Sequence, residues 1–325
     1  MQLEEIVPKK KYAVGVDLGG TSIKVGLVDE KGKITKRLSL DSCAEMGPEK
    51  VIAQIKMGIK EISKGKRSKF AGIGIGAPGA VKLKKGTVEN PPNFPGWGKI
   101  HLGNILRKEF KCDVFVENDA NAAAVGELIY GSGRKLKNFV MITLGTGVGS
   151  GIISEKKIFR GETGLAGEIG HVSIDFRGEQ CKCGSIGCIE AYIGSNYLIE
   201  RTKKKLEENN NSILYHLTGG DLNLLTPKII SLAAEQNDEF AKSVIIDTGI
   251  KLGYVLSSTV HVLDISQFII GGGLAGFGNL LLEAVENSIK ERVMKTFRDR
   301  ICVNAAKLKN DAGIKGASAL VFYKS

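Results

Sequence analysis

The chain has 325 residues, 42% of them apolar and 25% charged, which leaves room for two lobes of roughly 150 residues each and excludes a disordered, fibrous or disulfide-stapled mini-protein. A formal net charge of +11 suits an anionic ligand, but the lysines are scattered, the densest run Lys60–Lys69 reads as a solvated helix end and loop, and aromatics are only 6%, so nucleic acid is not an expected partner. No stretch approaches the ~18 uninterrupted apolar residues of a membrane span, and MQLEEIVPKKKYAV has no apolar signal core, so a cytoplasmic protein without a membrane partner is expected.

In chain order, Tyr12 to Asp17 predicts a strand ending in the turn LGGT, and Ser22–Asp29 and Lys33–Leu40 predict two more, antiparallel to it. Val51, Ile52, Ile55, Ile59 and Ile62 share one stripe of a helix from Pro48 to Ser63, and Phe70–Gly76 reads as a buried strand. Beyond the proline-rich loop Pro91–Trp97, the pattern predicts a short helix near Gly103–Phe110, a strand Val114–Glu117 and a helix from Asp119 to about Tyr130. The strand Phe139–Thr143 then opens an internal repeat. LGTGVGSGIISEK from Leu144 aligns with LGGTSIKVGLVDEK from Leu18 with one residue deleted, about 125 residues on, which is the spacing of a duplicated domain. Helices are expected at Ser195–Glu207, Pro227–Glu235 and Asp238–Val262. A strand Gln267–Ile270 runs into GGGLAG and a helix to about Thr296, and a final helix begins near Ala312.

Glycine is the one compositional excess, and three glycine turns directly follow strands: DLGGT from Asp17, LGTGVG from Leu144 and GGGLAG from Gly271. Such turns expose backbone N–H groups with no Cβ in the way, which is what phosphate oxygens need. No P-loop motif is present. Gly74–Gly79 and Gly271–Gly276 both match G-x-G-x-x-G, yet the first contains Pro78 and no following helical pattern, and the second lacks an acid at a following strand end. Neither therefore predicts a dinucleotide site. A carboxylate beside a phosphate cradle is repulsive unless a divalent ion bridges the two, so Asp17 is expected to face Mg²⁺ or its waters, with turn capping as the alternative.

Cys43, Cys112 and Cys302 are isolated, whereas Cys181, Cys183 and Cys188 cluster just after His171. Three thiolates and an imidazole form the ligand set of a closed structural zinc site, and Gly184 and Gly187 would let the loop fold back on the ion. All four positions being protein ligands, such zinc holds no catalytic water. Asp119, where VFVEN gives way to an alanine-rich helix, fits either a helix-capping acid or a proton acceptor at the sheet's carboxyl edge.

DLGGTSIK, ENPPNFPGW, VENDANAAAVGE, TLGTGVGSG, GETGLAGEIGH, CKCGSIGCIEAY and IIGGGL follow one another in the order seen in the ROK family. From about Tyr12 to its end the chain resembles that family, most closely its bacterial ATP-dependent glucokinases. The resemblance implies an α/β fold of two ribonuclease-H-like lobes of the actin/hexokinase type flanking a cleft. The smaller lobe would take residues 1–118 joined by the C-terminal helix 312–325, and the larger lobe, with the zinc loop, residues 119–311. It further implies ATP-dependent phosphorylation of glucose at the 6-hydroxyl, with N-acetylmannosamine or N-acetylglucosamine as alternative acceptors. A sugar-responsive transcriptional repressor is the rival of another class, but a DNA-reading helix-turn-helix needs more than the eleven residues before Tyr12.

Carried over by motif position, Asp119 is the catalytic base, and Asn93, Asn118, Asp119, Glu168, His171 and Glu190 contact the sugar. The nucleotide and Mg²⁺ fall to Asp17, Gly19, Gly20, Thr21, Lys24, Gly145, Thr146, Gly147, Gly271, Gly272 and Gly273. His171 can serve zinc with one ring nitrogen and a sugar hydroxyl with the other. Glu168 and His171, three residues apart, are expected on one side of a helical turn or tight loop. The segment IGSNYL after CIEAY differs from the small-residue run of the glucokinases and bears on the rim near the sugar's 2-position. Partners of this reading are a hexose and a nucleotide, with a homodimer or homotetramer as the assembly.

Overall fold

The computed structural model describes residues 12–65, 70–207 and 211–323. The N-terminal segment ahead of Tyr12, Lys69 and the three residues before it in the basic run, and the last two residues of the expected C-terminal helix lie outside the described residues.

The chain begins with three apolar strands, β1 (Tyr12–Leu18), β2 (Ser22–Asp29) and β3 (Ile34–Asp41), followed by α1 (Pro48–Ile62) and β4 (Phe70–Ala77). Pro48 opens α1, where its missing N–H costs nothing, and Val51, Ile55, Ile59 and Ile62 are the buried stripe that the sequence period predicts. Three short strands follow, β5 (Ala80–Lys82), β6 (Thr87–Glu89) and β7 (Lys99–Ile100), then α2 (Leu102–Phe110), β8 (Val114–Asn118) and α3 (Asp119–Tyr130). Next come β9 (Phe139–Leu144), β10 (Val148–Ser154) and β11 (Lys157–Ile158). The remainder is mostly helical: α4 (Glu190–Ile193), α5 (Ser195–Glu207), α6 (Leu214–Leu217), α7 (Pro227–Glu235) and α8 (Glu239–Leu263). β12 (Gln267–Gly271), α9 (Asn279–Arg292), α10 (Lys295–Arg298), β13 (Cys302–Ala305) and α11 (Ala312–Phe322) complete it.

One sheet has the order β3-β2-β1-β4-β8 and another β11-β10-β9-β12-β13. In the first, β1 pairs antiparallel with β2 and parallel with β4, which pairs parallel with β8. In the second, β10 and β11 are antiparallel, while β12 runs parallel to β9 and β13. The same strand order, with DLGGT after the central strand β1 and LGTGVG after the central strand β9, is the duplication seen in the two LGxG segments.

The chain divides into two compact units, one of Met1–Leu136, Gly151–Ala166 and Lys307–Ser325, the other of Lys137–Ser150 and Gly167–Ala306. The division differs from the expected boundary at residue 118, because α3 packs closely on α11. Ala120, Ala122, Ala123 and Ala124 are buried there, and a Cβ on Gly316 would lie 2.5 Å from the Ala122 carbonyl oxygen. Helix α11 also lies directly on the first sheet. A Cβ on Gly15 would sit 2.1 Å from the Ile314 carbonyl oxygen, and one on Gly74 would sit 1.8 Å from that of Ala317. Gly74, the start of the first G-x-G-x-x-G match, thus serves helix packing.

Three features differ from the sequence expectation. The segment around the proline-rich loop carries a three-stranded sheet, β5-β6-β7, and β13 adds an edge strand. The helix expected to reach Thr296 is broken instead. A 3-10 turn Gly273–Phe277 stops at Gly278 (φ 69°), and Val293 and Met294 are extended between α9 and α10. Among the described residues no helix is long and apolar enough to cross a membrane.

Candidate active site

In the first unit, Asp17 lies one residue before the end of β1, opposite Lys24 of β2, with the Lys24 ammonium 3.9 Å from its carboxylate. Burial pushes the Asp17 carboxyl up, and the lysine pulls it the other way. A Cβ on Gly313, near the start of α11, would lie 2.2 Å from the same carboxylate, so the helix reaches the acid only because glycine stands there. The Gly19 N–H donates to the Ser22 carbonyl at 3.0 Å, closing the turn, while Gly19 and Gly20 are half-buried and Thr21 is exposed. A Cβ on Gly20 would lie 2.9 Å from the Cβ of Asn93. Asn93, exposed and left-handed at φ 66°, is therefore pressed against the turn expected to hold phosphate.

The end of β8 shows which residue caps α3. Asn118 is the N-cap of α3: its side-chain oxygen accepts from the N–H groups of Ala120 (3.0 Å) and Asn121 (3.3 Å). Its amide nitrogen donates to the Gly79 carbonyl at 3.3 Å. Asp119 occupies the first helical position, exposed, and accepts from the Ala120 N–H at 2.8 Å. Capping is thus the work of Asn118, and Asn and Asp rank equally as caps, so sequence could not choose between them.

In the second unit, the turn between β9 and β10 carries Gly145, Thr146 and Gly147, with Thr146 exposed. The Gly145 N–H donates to the Gly147 carbonyl at 2.9 Å. This turn is held by the residues after the cysteine cluster. Glu190, which opens α4, accepts from the Val148 N–H at 2.9 Å through Oε2, and the Ser195 N–H donates to the Gly145 carbonyl at 2.9 Å. A Cβ on Gly147 would lie 2.3 Å from Glu190 Oε2, and one on Gly194 would lie 2.8 Å from the Thr146 carbonyl oxygen. IGSNYL accordingly meets the glycine turn rather than standing apart from it. In the third turn, Gly271 is buried against Met141 and Ala306, while Gly272 (φ 86°) and Gly273 are exposed, and nothing stands within 4 Å of a Cβ on Gly273.

Glu168 and His171 bracket a 3-10 turn over Ile169–His171, whose three residues per turn put them on one side. The His171 N–H donates to the Glu168 carbonyl at 3.0 Å, and Glu168 itself is exposed. The His171, Cys181, Cys183 and Cys188 ligand atoms all lie within 4.8 Å of one another. Cys183 and Cys188 Sγ are 3.6 Å apart, and Cys181 Sγ stands 3.8 Å from His171 Nδ1. A zinc–sulfur bond of about 2.3 Å places tetrahedral sulfurs roughly 3.8 Å apart, close to these two separations, so the donor set is of the kind that suits such an ion. Gly184 (φ 93°) turns the loop, and a Cβ on Gly187 would lie 1.8 Å from the Asp175 carbonyl oxygen. Burial pushes the Cys188 thiol up to about 12, with the Cys183 and Cys181 thiols adding to the effect, and raises Cys181 as well. Cys183 is lowered, chiefly by the backbone hydrogen bond from Ser185.

Sequence reasoning missed Gly313, Ser195, and the second task of Glu190 on the Val148 N–H. Each is a partnership across more than forty positions of the chain, and the sequence carries no local sign of any of them.

The chain belongs to the ROK family, whose model matches residues 13–324. It is 35% identical over 318 residues to the glucokinase of Thermotoga maritima, covering 97% of this chain and 98% of that one. It is 32% identical over 250 residues to the xylose repressor of Caldicellulosiruptor bescii, covering 77% of this chain and 62% of the repressor. The crystal structure of a ROK family glucokinase from Streptomyces griseus in complex with glucose and AMPPNP superposes with a TM-score of 0.84 at 34% identity, covering 95% of this chain and 98% of that one. The fold is that of the ROK sugar kinases, as the resemblance implied.

Proposed function

We propose that the chain is an ATP-dependent glucokinase. The γ-phosphoryl group of ATP passes to the 6-hydroxyl of glucose: the bond from O6 to phosphorus forms, the bond from the β,γ-bridging oxygen to phosphorus breaks, and ADP leaves. Asp119 takes the hydroxyl proton as O6 attacks, since a positioned acceptor is the one piece of proton chemistry that phosphoryl transfer requires. Support comes from glucokinase relatives matched over nearly the whole chain. The observation that carries the assignment of Asp119 is the capping of α3 by Asn118, so that Asp119, exposed at the first helical position, is not the residue that caps the helix.

In this reading Asn93, Asn118, Glu168, His171 and Glu190 hold sugar hydroxyls. Asn118 contributes through its amide nitrogen, its oxygen being committed to the cap. The turns at Gly19–Thr21, Gly145–Gly147 and Gly272–Gly273 receive the nucleotide through backbone N–H groups, with Lys24 beside the first. Asp17 would hold Mg²⁺, which when bound offsets the charge of the phosphates; a carboxyl raised by burial, against the pull of Lys24, is suited to gaining a cation. The cysteine cluster with His171 would hold zinc as a structural ion. Because Nδ1 faces the cluster, Nε2 is the nitrogen left for a hydroxyl. A cytoplasmic homodimer or homotetramer belongs to the same reading.

Asp119→Asn tests it. The change keeps size and helix-start chemistry but removes the proton acceptor, so kcat should fall by about 10²- to 10⁴-fold with glucose affinity nearly unchanged. A variant keeping more than about a tenth of wild-type kcat would remove Asp119 from this role. Initial rates with glucose, N-acetylmannosamine and N-acetylglucosamine, each with ATP and with polyphosphate, test the acceptor and the donor.

A further inference from the structure

The last residue of β8 before the Asn118–Asp119 pair is Glu117, an acid whose side chain is 4% exposed. A buried carboxylate is expensive unless a cation and hydrogen bonds compensate it, and here both do. Glu117 Oε1 accepts from the Asn118 N–H at 3.0 Å and from the Asn121 side-chain amide at 3.2 Å. Oε2 accepts from Arg160 Nε at 3.0 Å. Arg160 follows β11, and Tyr323 secures the same strand from the end of α11, its hydroxyl accepting from the Ile158 N–H (2.9 Å) and donating to the Lys156 carbonyl (3.1 Å).

One detail separates this network from ordinary core hydrogen bonding. Asn121, itself 3% exposed, turns its amide nitrogen to Glu117, and its side-chain oxygen is then buried with no hydrogen-bond partner among the described residues. Gly151 leaves room there, since a Cβ on it would lie 3.1 Å from that oxygen. Buried acceptors are rarely left unmet, and a role at a reacting site is one of the explanations for those that are. What Glu117 fixes by this means is the residue pair on either side of Asp119. Asn118 is held at its N–H by Glu117 and at its side chain by the cap and Gly79, and Asn121 is held one turn further along the helix.

We infer that Arg160 and Glu117 are positioning residues for phosphoryl transfer: through Asn118 and Asn121 they set the position from which the Asp119 carboxylate takes the hydroxyl proton. The inference rests on the reading of Asp119 as the base. Misplacement of a reacting group by about 1 Å can cost on the order of 10²-fold, so a loss in kcat without loss of sugar affinity is the signature. Arg160 is the residue to change first, because it touches neither Asn118 nor the cap.

The experiment compares Arg160→Met, Arg160→Lys and Asp119→Asn in the full-length, metal-replete enzyme, each checked for folding by circular dichroism and assayed well below its melting temperature. Arg160→Met should lower kcat by about 10- to 100-fold with glucose Kd changed less than about threefold. Arg160→Lys, which keeps the charge, should recover part of that loss. In the Asp119→Asn background Arg160→Met should add little, because both changes disable one step. Wild-type kcat in folded Arg160→Met, or losses of kcat and glucose affinity that track the melting temperature, would overturn the inference. Full additivity of the two changes would overturn it too. If Arg160→Met does not fold, the milder Arg160→Lys decides: a lowered kcat at unchanged glucose Kd supports the inference, and wild-type kinetics overturn it. Normal turnover in Asp119→Asn alone would instead remove the base on which the inference stands.

Discussion

Gly147→Ala isolates the hold that Glu190 has on the turn between β9 and β10. Gly147 lies outside the left-handed region, so alanine brings no backbone strain, but its Cβ would stand 2.3 Å from Glu190 Oε2, a separation real side chains do not adopt. The obstacle is the tip of a flexible side chain, so the fold should survive. What yields is the carboxylate, and with it the 2.9 Å bond that Glu190 accepts from the Val148 N–H. A hydrogen bond to a charged group contributes about 1.5–3 kcal/mol, and at about 1.4 kcal/mol per factor of ten its loss corresponds to roughly 10- to 150-fold in affinity. Because one carboxylate serves the turn and, in the proposed function, the sugar, the loss should fall on both ligands. Calorimetric titration with glucose and, separately, with a non-hydrolysable ATP analogue reads each affinity. Gly145→Ala is the control, as nothing stands within 4 Å of a Cβ there, and it should leave glucose binding intact. In a Glu190→Ala background the Gly147→Ala loss should largely vanish. Equal effects of the two alanines, or both affinities within twofold of wild type in Gly147→Ala, would refute the reasoning.

The purified protein should carry about one zinc per chain, and Cys183→Ala should lower both melting temperature and glucose affinity, read by metal analysis and calorimetry. Since burial holds the Cys181 and Cys188 thiols protonated, metal capture must release protons, and apparent zinc affinity should rise steeply from about pH 6 to about pH 8. Gly145→Val should raise the KM for nucleotide and spare that for sugar, whereas Gly20→Val should disturb both, because its side chain would strike Asn93. Asp17→Asn should abolish Mg²⁺-dependent nucleotide binding yet raise the melting temperature at neutral pH. The folded-state carboxyl is raised, so its ionisation costs stability above that raised value, and the gain should shrink to nothing as pH falls below the ordinary carboxylate range.

Much of the fold was legible because its period is strong. The strands around DLGGT, the Ile stripe of α1 and the alanine-rich α3 are apolar patterns that admit one reading each, and the second LGxG turn announced the duplicated sheet. The short strands β5, β6, β7 and β13 were not legible, since two to four residues are too few for alternation to rise above composition. The division into units escaped the sequence for another reason: α3 goes with the first unit because Gly316 lets α11 lie against it, and which helix a glycine admits depends on a partner nearly two hundred positions away. The same limit governs the site. Motif position supplied Glu190, Gly147 and Asp119 separately, but glycine in a turn reads as freedom for a phosphate whether or not a carboxylate lies against it. That Gly147 is required by Glu190, and Gly20 by Asn93, is a fact of packing. These two glycines belong at once to the turn they sit in and to the side chain they make room for, so under the proposed function a substitution there tests two ligands together. Gly145, with open space around it, then tests one.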